Sequence, residues 1–181
     1  MKIKATKLIA DLVERTRQNL NEAENLKKHS AQALHRKPAE DQWNALECVE
    51  HLNIYGDFYL EEMESAINRS NYPTEAYFKS GLLANYFAKS MQPGEDMWKV
   101  NTFKDMDPRG SVLDKSSIQQ FTEDQQQLLA LLDKSQSVSL NKTKVPFSLS
   151  RWIKIKLGDI FRIVIYHNQR HLVQAQKTLD S

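Results

Sequence analysis

A single cysteine, Cys48, occurs in the chain, which excludes an intramolecular disulfide and suits a reducing compartment. Glycine and proline are scarce, five of each in 181 residues, so few breaks interrupt the elements. No alternating apolar–polar run is sustained, which argues against a core built on a sheet. Neither sign of charge dominates. The 25 basic and 23 acidic residues leave a net +2 spread along the chain, with no basic block to mark a nucleic-acid partner. No apolar stretch approaches transmembrane length, and Met1–Lys7 is charged without the apolar run of a signal peptide behind it. These absences predict one cytoplasmic domain over 1–181 with no membrane partner. The 40% hydrophobic content is enough for a sizeable core.

Helical periodicity is what the chain does have, in four segments. The first covers about residues 5–30, with Leu8, Leu12, Thr16, Leu20, Ala23 and Leu26 along one stripe. A short link containing Pro38 should make it an antiparallel neighbour of the second, which begins at Asn44. Asn44 and Glu47 have the spacing of a capping box, and Leu46, Val49, Leu52, Tyr55, Tyr59 and Met63 carry the apolar face. A third segment starts at Ser116, with Gln119 as capping partner, and continues through Ile118, Phe121, Gln125, Leu128 and Leu132. The fourth, from about Leu157 to Leu179, is the most apolar and should be buried on more than one side. Four helices of this length, each about 30 Å by the helical rise, are the parts of an all-α four-helix bundle.

The connectors are uneven. Residues from about 69 to 114 form a long, aromatic-rich crossover between helices two and three, which lets those helices run parallel. A short helix is expected within it near Glu75 to Met91, and the crossover should lid one end of the bundle. Its Trp98, together with Trp152 of the later connector, could wall a pocket or simply seal the bundle end.

His167 and His171 stand four residues apart on helix four, so both imidazoles leave the same face. His51 lies between Val49 and Leu52 on helix two. If helices two and four are antiparallel, the three imidazoles fall at one level, as in metal sites built between facing helices. His29 and His35, among Lys27, Lys28, Arg36 and Lys37, read as a solvated helix terminus.

Trp43-Asn44-Ala45-Leu46-Glu47-Cys48-Val49-Glu50-His51-Leu52 resembles the second-helix signature of DinB-like proteins, the DinB/YfiT superfamily. Leu157-Gly158-Asp159-Ile160-Phe161, leading into His167-Asn168-Gln169-Arg170-His171-Leu172, resembles their fourth helix. The resemblance implies an up-down-down-up bundle with a divalent metal held near one end by His51, His167 and His171. It also implies a homodimer and, by likeness to some relatives, thiol-dependent S-transfer using a low-molecular-weight thiol.

Three neutral imidazoles with an open position describe a catalytic metal site. Zinc or nickel suits them best, manganese or iron less well. A metal-dependent transferase moving a thiol onto a small electrophile is therefore the leading expectation. A metal-dependent hydrolase using activated water, and a non-enzymatic metal-stabilised binding module, are the alternatives. No general acid or base can be assigned. Around the ligands, Glu47 could orient His51 or only cap its helix, and Tyr55 could reach the pocket or only pack in the core. Gln174 could bond a ligand or satisfy a buried group. Cys48 reads as a small buried hydrophobe.

Overall fold

The computed structural model describes residues 1–94, 103–148 and 150–180. The chain is predominantly helical. Four long helices are α1 (Ala5–Leu26), α3 (Ala45–Asn68), α5 (Lys115–Lys134) and α6 (Leu157–Leu179), and two shorter ones are α2 (Ala31–His35) and α4 (Leu82–Ser90). The absence of sustained alternation did not exclude short strands. β1 (Lys2–Lys4) pairs antiparallel with β2 (Tyr77–Lys79), and β3 (Lys144–Phe147) pairs antiparallel with β4 (Ser150–Lys156). These are ribbons at the end of the helical body, and they bury few side chains. Phe78, on β2, and Val145, on β3, are the fully enclosed ones.

Local chemistry explains the helix boundaries. At α3 the capping box forms as the spacing predicts: Glu47 N–H donates to Asn44 Oδ1 at 2.8 Å and Asn44 N–H to Glu47 Oε2 at 2.9 Å. At α5 the expected Ser116–Gln119 box does not form. Asp114, two residues earlier, is the cap instead: its backbone is extended where the helix begins, and its carboxylate accepts from Ser116 N–H at 2.7 Å. The Gln119 side chain turns outward, donating to Glu123 and accepting from Lys27.

α1 packs chiefly on α5 and α6, and α3 packs chiefly on the same two helices. The expectation that helices one and two are adjacent is thereby corrected. The link between α1 and α3 holds α2 and is long enough to take the chain across the bundle. Cross-helix bonds fix which ends meet. Lys115 reaches the carbonyl of Lys27, joining the end of α1 to the start of α5. Gln120 bonds Asp57 and Lys134 bonds Glu64, so α3 and α5 advance together. Between α3 and α5 the fit is close: a Cβ on Gly56 would stand 2.7 Å from Asp124 Oδ2.

The apolar core is in two parts. One gathers Leu8, Leu12, Tyr59, Met63, Leu128, Leu132, Ile160 and Phe161, and the other gathers Ala23, Leu46, Leu52, Ile118, Phe121, Leu172 and Ala175. Between them every long helix turns polar at one level. Thr16 and Asn19 do so on α1, His51 and Asn53 on α3, Thr122 and Gln125 on α5, and Asn168 on α6. The belt is satisfied mainly internally. Asn168 donates to Gln125 at 3.3 Å, Asn53 to the carbonyl of Ser117 at 3.0 Å, and both threonines to carbonyls one turn back. A polar layer inside a bundle lowers the gain from burial, so it marks where the chain has given up packing for something else.

Candidate metal centre

His51, His167 and His171 project into that belt, and their ligating nitrogens all lie within 4.8 Å of one another. α6 supplies two of them because a separation of four residues stacks side chains one turn apart. α3 supplies the third from the facing helix. The rings meet edge to face, with centroid separations of 5.1, 4.6 and 4.6 Å.

Hydrogen bonding fixes two of the three tautomers. His51 Nδ1 lies 2.8 Å from the carbonyl of Met106, which can only accept, so Nδ1 carries the proton and Nε2 is left with its lone pair. His171 Nδ1 is likewise 2.9 Å from Gln174 Oε1. Both Nε2 atoms are thus free to donate electron pairs. The His51 and His167 Nε2 atoms stand 3.3 Å apart. Two bare lone pairs at that distance repel, so either a proton or a cation must lie between them. Two imidazole nitrogens on a tetrahedral zinc at roughly 2.0–2.1 Å would be about 3.3–3.4 Å apart. The donor set therefore fits a divalent metal.

The electrostatics agree. Burial, followed by the neighbouring His171, His51 and Arg170, holds His167 well below the ordinary imidazole range. Burial, followed by His51, takes His171 down to about 3. Burial also lowers His51, against the opposing pull of the Met106 carbonyl and Asp107. All three are neutral at neutral pH, the state in which an imidazole can be a ligand.

Two aromatic side chains flank the cluster. Tyr55, one turn beyond His51, sets its ring against His51 at 5.0 Å and His167 at 4.9 Å. Trp43 packs on His51 at 4.7 Å and His171 at 5.8 Å from the other side. The Trp43 side chain also hydrogen-bonds Asp107, whose carboxylate is held low chiefly by the hydrogen bonds that the Arg109 guanidinium donates to it.

Trp43, Met106 and Asp107 are parts of the site that the sequence reading did not single out. Trp43 had a signal, because it directly precedes the capping box of α3, where an apolar residue fixes the chain's entry angle. Met106 had none, since it contributes only a backbone carbonyl.

The remaining candidates fall as follows. Both carboxylate oxygens of Glu47 are committed, one to the capping box and one to Lys37 at 2.9 Å, so Glu47 anchors the start of α3 and does not orient His51. Gln174 hydrogen-bonds the His171 imidazole. Cys48 is fully buried in the apolar cluster, and burial pushes its thiol far up, which makes it inert. His35 is exposed beside Asp114, and His29 lies beyond the end of α1. Both are outside the cluster. Trp152 neither walls this site nor seals the bundle, being 95% exposed on β4. Trp98 lies outside the described residues.

A family model described as the DinB superfamily matches residues 12–175. No curated protein and no solved structure matches the chain significantly.

Proposed function

The chain belongs to the DinB superfamily, and on that premise we propose that it is a divalent-metal-dependent transferase that joins a low-molecular-weight thiol to a small electrophile. One observation carries the reading: three neutral imidazoles converge at one point, two of them with Nδ1–H already committed and Nε2 directed inward. His51, His167 and His171 would hold the metal. Zinc is the first choice because the 3.3 Å nitrogen separation suits a tetrahedral centre, and nickel is the second, with manganese or iron behind them. When bound, the metal supplies Lewis acidity that lowers the pKa of a coordinated thiol and orients it.

The protein's own residues then have separable tasks. Met106 and Gln174 keep His51 and His171 in the ligating tautomer, and Trp43 and Tyr55 give the site apolar walls that exclude water. The helix-end contacts between α1, α3, α5 and α6 support an up-down-down-up four-helix bundle with one domain over 1–181. Among the described residues no helix is long and apolar enough to cross a membrane, which is compatible with the cytoplasmic residence that the proposal includes. The proposal also includes a homodimer, supported by the family likeness alone.

Elemental analysis of the purified protein beside a His171→Ala variant tests the site. Near-stoichiometric metal is expected in the first and its loss in the second. Turnover of small electrophiles with and without added thiol tests the reaction. Metal-free protein with undiminished thiol-dependent turnover would refute it. Turnover that needs metal but no thiol would replace it with hydrolysis, and metal content with no turnover of either kind would leave a binding module.

A further inference from the structure

At the end of the bundle away from the histidines, the fold gathers cations that are scattered in the sequence. Register pairing places Lys2 opposite Lys79, and Lys144 opposite Lys156, with Lys154 opposite Pro146. Lys156 Nζ bridges the two ribbons by donating to the carbonyl of Lys79 at 2.5 Å. Among the described residues none of these five lysines takes part in an ion pair. Glu75 is the acid close to Lys156 and Asp159 the acid that bears on Lys144, but Glu75 is committed to Ser139 and Asn141, and Asp159 to Arg162, Ser80 and Gly81. Lys144 and Lys156 lie close enough for each charge to bear on the other.

Large exposed apolar side chains lie on the same elements or on the element that follows. On β4, Trp152 is 95% exposed and shares a strand face with Lys154 and Lys156. On α4, which follows Lys79, Leu82 and Leu83 are 91% and 77% exposed. Phe87, one turn after Leu83, packs on Phe147 of β3 at 5.9 Å, so α4 and the β3–β4 ribbon form one continuous surface.

We infer that this surface, against the sequence-based expectation of no membrane partner, docks the protein on an anionic lipid bilayer, with Trp152, Leu82 and Leu83 entering the interface and the lysines meeting the headgroups. Cations interleaved with aromatic and aliphatic side chains are the signature of interfacial binding, and anionic headgroups complete the unpaired charge. Nucleic acid would also attract the lysines, but it would leave Leu82 and Leu83 in water.

The test is co-sedimentation of the full chain, as purified, with phosphatidylcholine vesicles alone or mixed with phosphatidylglycerol. Binding is expected to the mixed vesicles only, weakening as salt is raised. Lys144→Glu with Lys154→Glu should lower the partition coefficient by at least about tenfold, and Trp152→Ala by about tenfold. Helical circular dichroism and metal content should stay unchanged in both. Quenching of tryptophan fluorescence by brominated lipid reads insertion in the unsubstituted chain. Of the tryptophans at positions 43 and 152, only Trp152 is exposed. The inference is overturned if mixed vesicles do not retain the protein, or if the variants bind as well as the parent. It is also overturned if duplex DNA retains the protein while brominated lipid leaves its fluorescence unquenched.

Discussion

Asp124→Asn should stabilise the protein above neutral pH, and its magnitude can be worked from the seam between α3 and α5. Asp124 Oδ2 is buried there with no hydrogen-bond partner, pressed against the backbone at Gly56. Burial first, then the Asp57 and Glu123 charges, raises its pKa from the ordinary 3.8 to about 7. A folded value above the unfolded one means that stability is fully present below about pH 4 and is lost as pH rises to about 7. A gap of roughly three pH units corresponds to about 4 kcal/mol for an enclosed group. Asp124 is only half-buried and keeps part of its solvent screening, so about 1–2 kcal/mol is the expected size. Asparagine keeps the shape and cannot ionise. Urea unfolding of both proteins at pH 5 and pH 8 is the assay, read as the difference between them. The difference cancels the opposing titration of the histidines. About two-thirds of that window lies between the two pH values, so Asn should gain about 1 kcal/mol on the parent. A difference that does not change with pH would refute the reasoning.

Other outcomes follow from the same geometry. Gly158→Ala places a Cβ 2.6–3.0 Å from the ring of the fully buried Phe78, so calorimetry should show a loss of about 1–3 kcal/mol, and Phe78→Leu in the same chain should recover part of it. Gln174→Leu removes the acceptor of His171 Nδ1–H and should weaken metal binding by about tenfold or more in chelator competition, whereas Gln174→Glu should not. The metal-free protein should lose stability as pH falls below about 6.5, because the folded state holds its three imidazoles below their unfolded pKa and the unfolded chain takes up protons first. A His167→Gln variant should show a shallower loss over the same range in urea titrations.

Much of this architecture was legible in the residues. The fourth apolar segment becomes α6 with the bounds its periodicity predicts, and the Asn44–Glu47 spacing becomes a formed capping box. These are local features, set by contacts three or four residues apart. The start of α5 was misplaced because Asp114 and Ser116 are both good caps, and only the backbone decides between them. The ribbons were missed because the strands are short and mostly exposed, so burial imposes little alternation on them. Helix adjacency was misread because link length constrains neighbours only weakly once the link contains its own helix.

The same division holds for the centre itself. By its own spacing, the sequence determined that His167 and His171 share a face, that Glu47 caps a helix, and that the chain is helical. It could also nominate His51, because an imidazole on an apolar stripe must find a partner. Tertiary structure alone decided that the four polar interruptions fall at one level, that a carbonyl from the long connector fixes the tautomer of His51, and that Trp43 closes one side. It likewise collected lysines from positions 2, 79, 144, 154 and 156 onto one end of a chain whose charge looks evenly mixed. The reason is range. Periodicity and capping are interactions within a turn, whereas convergence of distant groups depends on how whole helices and ribbons pack, and composition does not encode that packing.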